Sequence, residues 1–303
     1  MRNVKLSGLL LALSLVVAGV AQAGVIRGGE TADQVPTGKG WGEAATGRAP
    51  KAAARSTGNG INYHGGPLIL GTTNVYYIWY GNWAGNTATS ILSDLATTVG
   101  GSPHYNINTT YYDGSNTKVS NSVLLAGSID DNYSQGTALS DASVQTVVAN
   151  AINSGALPKD PNAVYFVLTS ADVNETSGFC TQYCGWHTHA SIGGTDIKYS
   201  FVGNPDRCLS SCAAQSTGPN GNAGADGMAS VLIHELEEAV TDPDLNAWYD
   251  RVGKENADKC AWTFGTTYTT ANGALANMKL GSRDFLIQQN WVNANGGLCA
   301  VSY

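Results

Sequence analysis

The stretch DGMASVLIHELEEAV, residues 226–240, predicts a helix in which charged groups and a histidine converge at a spacing suited to chemistry. Its apolar residues recur at helical spacing and form one stripe: Met228, Val231, Leu232 and Ala239. Asp226 is of the type that caps a helix N-terminus. Glu235 falls inside the apolar stripe, where a buried carboxylate is costly unless a partner compensates it. Glu237 falls on the opposite face, where we expect it to be solvated.

A metal site is indicated by the segment HELEE, residues 234–238, within this helix. His234 and Glu238 lie one helical turn apart, so both side chains can reach the same point. The segment resembles the H-E-x-x-H helix of zinc metallopeptidases, in which two ligands flank a glutamate that acts as general base. Glu238 stands where the second histidine would be. We therefore expect His234 and Glu238 to be ligands and Glu235 to be the base.

Acidic residues that follow the helix suit the remaining roles of such a site. Glu255 is a candidate third ligand, and Asp258 and Asp242 are candidates to support the ligands. Pro243 predicts a turn between this helix and a second one that carries Glu255. One histidine and two carboxylates can hold Zn²⁺, and this oxygen-rich set leaves Ca²⁺ or Mn²⁺ open.

Residues 1–23 have the pattern of a secretory signal peptide. Arg2 and Lys5 precede an apolar run over residues 6–20, and Ala21-Gln22-Ala23 supplies small residues for cleavage. The run is too short for a membrane span, and no later segment reaches spanning length. We therefore expect cleavage near Ala23 and a secreted protein, extracellular or periplasmic.

The six cysteines predict disulfides, because their number is even and export would place them in an oxidising compartment. Two C-x-x-x-C segments and one remote pair predict the bridges Cys180–Cys184, Cys208–Cys212 and Cys260–Cys299. A zinc site built from four thiolates is the competing interpretation, and the three-residue gaps and the export signal argue against it.

Charged residues make up only 13% of the chain, against about 25% in a typical soluble domain. Residues 1–23 contain two basic and no acidic side chains, so the mature chain keeps 14 basic and 23 acidic side chains and a net charge of −9. This charge argues against nucleic acid or anionic membranes as partners. Residues 24–60 lack apolar periodicity and are expected to form a disordered linker or a pro-segment lying over an acidic cleft.

Residues 61–303 have the pattern of one α/β domain with a mixed sheet, flanking helices and disulfide-bonded loops. Strands are predicted over residues 75–80, 119–129 and 163–169, and helices over residues 87–98 and 140–153. Residues 186–202 are predicted to form a hairpin across Gly193-Gly194. We expect the protein to be a monomer.

Several motifs occur in order along residues 62–303: YHGGP at 63–67, GTTNVYYIWYGNW at 71–83, CTQYCGWH at 180–187, FVGNP at 201–205 before Cys208-x-x-x-Cys212, DGM at 226–228, and the segment from Ala271-Asn272-Gly273 to Cys299. Together they resemble the phosphate-induced protein 1 family, the EXORDIUM proteins of plants and their bacterial relatives. The resemblance implies a secreted or cell-wall-associated protein. We interpret the chain as a bacterial-type member, which carries in addition a zincin-like HExxE motif at residues 234–238. The resemblance assigns a catalytic role to none of the matched motifs.

Other side chains are candidates to contact a substrate. His187 and His189 lie two apart on a predicted strand, so both point to one face and could bind substrate or an oxyanion. Tyr249 could steady a reaction intermediate, although packing is the ordinary role of such a residue. Four aromatic residues would bind cell-wall polysaccharide if they were exposed: Trp79, Tyr80, Trp83 and Trp186.

Two classes of function follow from these patterns. The first is a secreted zinc-dependent metallohydrolase, most simply a peptidase, in which the metal polarises a carbonyl and Glu235 activates water. The alternative is a non-catalytic extracellular or cell-wall-associated binding or signalling protein with a structural or vestigial metal site. A surface helix stabilised by ion pairs is the interpretation that needs no metal.

Overall fold

A five-stranded mixed sheet forms the centre of the computed structural model, which describes Met1 and residues 33–39 and 60–303. In chain order its strands are β1 (Thr73–Tyr80), β2 (Val123–Asp131), β3 (Ala163–Thr169), β4 (Gly185–Ile192) and β5 (Thr195–Val202). Their spatial order is β2-β1-β3-β5-β4. The first four strands in that order run parallel, and β4 pairs antiparallel to β5 at the edge of the sheet. The protein therefore belongs to the predicted α/β class.

Most of the predicted N-terminal segments lie outside the described residues. Apart from Met1, nothing of the predicted signal peptide is described, and of residues 24–60 only residues 33–39 and Gly60 are described. Their assignment as a linker or a pro-segment therefore stays a prediction. The described residues from Asp33 onward belong to one compact unit.

Helices cover both faces of the sheet. They are α1 (Ala88–Val99), α2 (Asp141–Asn153), α3 (Leu209–Cys212) and α4 (Ala223–Thr241), with short 3-10 turns at Tyr105–Thr110, Pro205–Arg207 and Asp258–Cys260. α1 packs against α4 and β2, α4 packs against β4 and β5, and α2 packs against β3 and β5. Every residue of β3 is buried, as expected for a parallel strand with helices on both sides.

Short strands make up much of the remaining chain. They are Asn62–Tyr63, Ala138–Leu139, Asn174–Glu175, Trp248–Tyr249, Tyr268–Thr269, Leu275–Ala276, Met278–Leu280, Arg283–Phe285, Asn290–Val292 and Leu298–Ala300. They pair in twos outside the main sheet. Most of them belong to the C-terminal part of the chain, which follows α4.

The main sheet confirms much of the prediction. β3 has the predicted bounds, and the hairpin turns where predicted, with positive φ angles of 55° at Gly193 and 77° at Gly194. Two consecutive residues with positive φ make the type of two-residue turn that joins twisted antiparallel strands. α1 and α2 each begin one residue later than predicted, and β2 begins four residues later.

The start of α4 differs from the prediction. The side chain of Asn222 accepts a hydrogen bond from the Ala225 backbone N–H at 3.1 Å, so Asn222 is the N-cap and Asp226 lies in the first turn. Asp226 instead accepts hydrogen bonds from Asn220, at 3.0 Å from its backbone N–H and 2.6 Å from its side-chain amide. The prediction was wrong because the small residues that open the helix carry no apolar periodicity.

The predicted second helix after Pro243 does not form in the fully described chain between α4 and Asp258. Asp242 accepts the backbone N–H groups of Asn246 and Ala247, at 2.6 and 2.5 Å, and so reverses the chain. Trp248–Tyr249 then pairs with Asn62–Tyr63 as a strand. Glu255 consequently lies in a loop, because the aromatic pair finds a strand partner far away in sequence.

Two of the three predicted disulfides are wrong. The structure pairs Cys180 with Cys208 and Cys184 with Cys212, at Cα–Cα distances of 5.8 and 5.5 Å. The prediction rested on the short spacing within each C-x-x-x-C segment, but the two segments pack side by side and each cysteine faces its counterpart. The third predicted bridge, Cys260–Cys299, is confirmed.

The disulfides pair all six cysteines of the chain, which is typical of proteins that mature in an oxidising compartment. This supports a secreted protein. Within the described residues, no helix has both the length and the apolar character needed to cross a membrane.

Candidate metal centre

α4 is buried along nearly its whole length, from Gly224 to Thr241. Glu237, predicted to be solvated, is only 1% exposed. An amphipathic helix exposes its polar face when one side packs on a core, but α4 is covered on its second side as well. The charged groups of α4 therefore face protein groups, and the prediction for Glu237 was wrong for that reason.

Glu237 lies beside a second buried side chain, the imidazole of His104. Its carboxylate Oε1 lies 3.4 Å from Nε2 of His104, and both side chains are 2% exposed. Burial raises the pKa of Glu237 to about 8 and lowers the pKa of His104 to about 4. Burial therefore favours the neutral form of both side chains.

Around Glu238, histidines and carboxylates from three parts of the chain converge. Nε2 of His234 lies 3.1 Å from Oε1 of Glu238, as the spacing along the helix predicted. Oε2 of the same carboxylate lies 3.8 Å from Nε2 of His187, which reaches the cluster from the edge strand β4. The two oxygens of Glu238 thus face two different imidazoles.

The loop after α4 completes this cluster. Nε2 of His187 lies 3.1 Å from Oε1 of Glu255, and Nε2 of His234 lies 3.9 Å from Oδ1 of Asp258. The backbone N–H of Asp258 donates to Oε1 of Glu238 at 2.9 Å. The predicted ligands His234 and Glu238 therefore lie together, and the predicted ligand Glu255 joins them through His187.

The separations within the cluster fit cation binding in two overlapping groups that share Glu238. Two ligands about 2.1 Å from a tetrahedral ion lie roughly 3.4 Å apart. Potential ligand atoms of His187, Glu235 and Glu238 all lie within 4.8 Å of one another, and so do those of His234, Glu238 and Asp258. The 3.8 and 3.9 Å separations are too long for hydrogen bonds but suit two ligands of one ion.

Glu235, the predicted base, belongs to the first of these groups. It is fully buried, and Oε1 lies 3.0 Å from the point where a Cβ atom would stand on Gly185. Glycine at the first position of β4 therefore allows α4 to approach the strand closely enough to bring Glu235 beside His187.

Burial dominates the electrostatics of the cluster. Burial lowers the pKa of His187 to about 4, against the charge of Glu238. Burial also raises the pKa of Glu255 well above its usual value, and the charges of Glu238 and Asp242 raise it further. For Glu238 burial is also the largest cause and raises the pKa, but the charges of His234 and His187 and the hydrogen bonds from His234 and the Asp258 backbone together outweigh it, so the pKa lies below its usual value.

His189, the second histidine of β4, lies in a separate group. Its Nδ1 lies 2.8 Å from Asp196 and 3.6 Å from Asp244. Lys198 contacts both carboxylates, at 2.6 and 3.4 Å from its Nζ. The Lys198 ammonium group already balances the two carboxylates. We therefore interpret this group as an ion-pair network at the sheet edge.

The remaining predicted site residues lie beside the cluster. Asp242 holds the turn after α4, and burial raises its pKa to about 7. Tyr249 stacks on His64, with ring centroids 3.6 Å apart. His64 in turn contacts Asp33 at 3.0 Å. Tyr249 is therefore placed by packing, and a contact with substrate stays a prediction.

The aromatic residues proposed to bind polysaccharide are buried. Their exposed fractions range from 0% to 7%: Trp79, Tyr80, Trp83 and Trp186. These side chains pack into the core around the main sheet. They therefore do not form an exposed platform, and this part of the prediction was wrong because aromatic content alone does not tell a core from a surface.

The sequence assigned His187 a contact with substrate, whereas the structure places it among the candidate ligands. The signal that could have identified it is its position three residues after a disulfide-bonded cysteine, at the start of a strand. That position fixes its backbone against α4. Sequence spacing alone cannot show which helix an edge strand will face.

The described residues thus define a disulfide-bonded α/β protein with a buried histidine and carboxylate cluster between its edge strand and its central helix. The family model for the phosphate-induced protein 1 conserved region matches residues 61–287. The chain belongs to this family, as the motifs indicated. That it is a bacterial-type member stays a prediction.

Several plant proteins of this family are similar to the chain in sequence. The chain is similar to Protein EXORDIUM-like 5 of Arabidopsis thaliana, with 33% identity over 79% of this chain and 77% of the relative. It is also similar to Protein EXORDIUM-like 3 of the same plant, with 32% identity over 76% of this chain and 80% of the relative. Protein PHOSPHATE-INDUCED 1 of Nicotiana tabacum is 29% identical over 62% of this chain and 67% of the relative. No solved structure matches the chain significantly.

Proposed function

We propose that the protein is a secreted, zinc-dependent hydrolase that acts on peptide or protein substrates after its signal peptide is removed near Ala23. One observation carries the proposal: two imidazoles and several carboxylates from β4, α4 and the following loop converge in one buried cluster around Glu238.

The second imidazole favours zinc over calcium or manganese. The helix motif supplies one histidine, and the structure adds His187 from β4. Two histidines with a carboxylate form a common ligand set of catalytic zinc, whereas calcium takes oxygen ligands alone. Each candidate group holds one of these histidines, His187 with Glu235 and Glu238 and His234 with Glu238 and Asp258, so an ion bound by both imidazoles would draw them together around Glu238.

The charge of the cluster also favours a cation. Its acidic side chains are almost wholly buried: Glu235, Glu238, Asp242, Glu255 and Asp258. Burying several carboxylates together is costly unless a positive charge compensates them. Among the ion pairs that join described residues, none links a lysine or arginine to Glu238, Asp242 or Glu255.

The chemistry would be divided between the ion and one residue of α4. Zinc would supply a Lewis acid that polarises the carbonyl of the scissile bond. Glu235 would take a proton from the attacking water and deliver it to the leaving amine. The position of Glu235 in the same candidate group as His187 and Glu238 supports this division of roles.

A structural zinc site is the second candidate, and burial is the observation that favours it. His187, His234, Glu238 and Glu255 are each at most 2% exposed. Closed sites are typical of structural zinc, whereas catalytic zinc keeps an open position. The two candidates differ in one result, because only a catalytic site requires Glu235 for turnover.

The test combines zinc analysis with hydrolysis of a peptide library. We expect Glu235→Gln to keep its zinc and to lose hydrolysis by about 10²-fold or more. We expect His187→Ala to lose zinc, while His189→Ala, two residues along the same face of β4, keeps both zinc and activity. Hydrolysis that survives in Glu235→Gln would exclude the proposed base, and a wild-type protein that holds zinc without hydrolysing any peptide would favour the structural candidate.

A further inference from the structure

A short N-terminal segment lies against the domain beside the metal cluster. We call residues 33–39, DQVPTGK, the N-terminal strap. At its first end the Asp33 carboxylate lies 3.0 Å from Nε2 of His64, and the Gln34 N–H donates to the Arg251 carbonyl at 3.1 Å. Pro36 is buried further along the strap.

Charged and aromatic groups hold the other end of the strap. Nζ of Lys39 lies 2.6 Å from the Asp141 carboxylate and 2.7 Å from the Ser177 hydroxyl. The same ammonium group lies 5.2 Å from the ring centroid of Tyr183 and 5.5 Å from that of Trp186. This pocket is therefore suited to a basic side chain.

The middle of the strap meets the metal cluster. The His187 backbone N–H, on the free edge of β4, donates to the Gly38 carbonyl at 3.0 Å. The strap and residues 252–255, together with Asp258, enclose a cavity of about 240 Å³. Glu255 and Asp258 line this cavity, so the strap lies over the loop that contributes these two carboxylates to the cluster.

Gly38 is required at its position by the close approach of β4. Its φ angle is +66°, and a Cβ atom added there would lie 1.9 Å from the His187 carbonyl oxygen. Any residue with a side chain would therefore collide with the backbone of the strand. The surface along β4 therefore requires glycine at the position opposite His187. At the next position it is suited to a basic residue.

We propose that the strap occupies a peptide-binding cleft, and that the ligand of this cleft is a peptide with a glycine, at which it bends, followed by a basic residue. Exposed sheet edges bind peptides through main-chain hydrogen bonds, and β4 donates one such bond to the Gly38 carbonyl at the bend of the strap. The proposal rests on the proposed function in one respect, since it names the substrate class of the same site.

A tethered strap competes strongly with a free peptide. Segments joined to their site by a short linker act at an effective concentration on the order of mM. The full chain is therefore a latent form, in which an external peptide binds only after the strap is displaced. Displacing the strap without altering the cleft is the direct way to reveal the site.

The experiment uses the full chain and a fluorescein-labelled peptide with the sequence of residues 33–39. Gly38→Ala should release the strap, because the added methyl group collides with the His187 carbonyl. Gly85→Ala is the matched control, since Gly85 has a similar φ of +71° but no atom within 4 Å of its added Cβ. Fluorescence anisotropy then measures peptide affinity in each protein.

We expect Gly38→Ala to bind the peptide at least tenfold more tightly than the wild type or Gly85→Ala. A peptide with alanine in place of its glycine should bind Gly38→Ala at least tenfold more weakly. Lys39→Glu is a second way to release the strap, because it places a carboxylate against Asp141, and it should also bind the peptide more tightly than the wild type.

Equal peptide binding by the wild type, Gly38→Ala and Lys39→Glu, or binding by none of them, would overturn the cleft. Zinc content and hydrolysis are measured on the same proteins, so the two proposals fail separately. Peptide binding by a protein that holds no zinc would refute the proposed hydrolase and support the peptide-binding cleft. Zinc binding without peptide binding would refute only the peptide-binding cleft.

Discussion

The structure joins the two C-x-x-x-C segments by the crossed disulfides Cys180–Cys208 and Cys184–Cys212. This pairing and pairing within each segment predict different numbers of free thiols when two cysteines are replaced. We consider the variant Cys180→Ala/Cys208→Ala. In the structure it removes one bridge and leaves the other intact, so the variant has no free thiol. Pairing within the segments would instead break two bridges and leave two free thiols, on Cys184 and Cys212.

Loop entropy sets the size of the effect on stability. Each crossed bridge spans 28 residues, so the first to form contributes about 3.6 kcal/mol to the free energy of unfolding. Once one bridge is present, the other closes a ring of only about eight residues and adds about 2.5 kcal/mol. The variant should therefore lose about 2.5 kcal/mol, and removal of all four cysteines should cost about 6 kcal/mol.

A tryptic digest without reduction tests the pairing directly. Trypsin cuts after Lys159, Lys198, Arg207 and Arg251, which places the first two cysteines on residues 160–198 and the next two on residues 208–251. Mass spectrometry should find these two peptides linked, and urea unfolding of the variant measures the loss of stability. Release of the two peptides as separate species, or two free thiols in the variant, would refute the crossed pairing.

Two further predictions concern the ion and the helix that carries it. A chelator should lower the melting temperature by roughly 8–16 °C. An ion at 1,000 times its Kd contributes about 4 kcal/mol to the free energy of unfolding, and each 1 kcal/mol changes the melting temperature of a protein of this size by about 2–4 °C. Calorimetry that shows no shift would contradict the metal site. Gly185→Ala should cost about 1–3 kcal/mol in urea unfolding, because its added Cβ would lie 2.6 Å from Cγ1 of Val231 and 2.9 Å from the Phe201 carbonyl oxygen. Gly127→Ala, whose nearest contact is 3.4 Å, is the control, and an equal loss in both variants would argue against a close contact between α4 and β4.

Local patterns predicted the sheet well. The continuous apolar run of β3 and the Gly193-Gly194 turn are set by residues adjacent in sequence, so their signal is complete before the chain folds. The helical spacing that brings His234 to Glu238 has the same local origin. These features could be predicted from the sequence because they do not depend on contacts with distant segments.

Contacts between distant segments account for the predictions that failed. Glu237 is buried because later parts of the chain cover the second side of α4, which no periodicity within the helix can show. Each of Cys180 and Cys184 pairs with a cysteine of another segment rather than with its near neighbour. His187 joins the cluster because β4 is the edge strand that packs on α4. The spacing of residues along the chain does not show the order of the strands in the sheet.

The measurement that tests the metal cluster most directly is zinc content by mass spectrometry in the wild type, Glu238→Gln and Glu237→Gln. The two variants change adjacent buried glutamates of one helix, but only Glu238 lies between the two histidines of the cluster. We predict at least one equivalent of zinc in the wild type and in Glu237→Gln, and a loss of tenfold or more in Glu238→Gln. Equal zinc in the two variants, or no zinc in any of the three after it is supplied, would contradict the account.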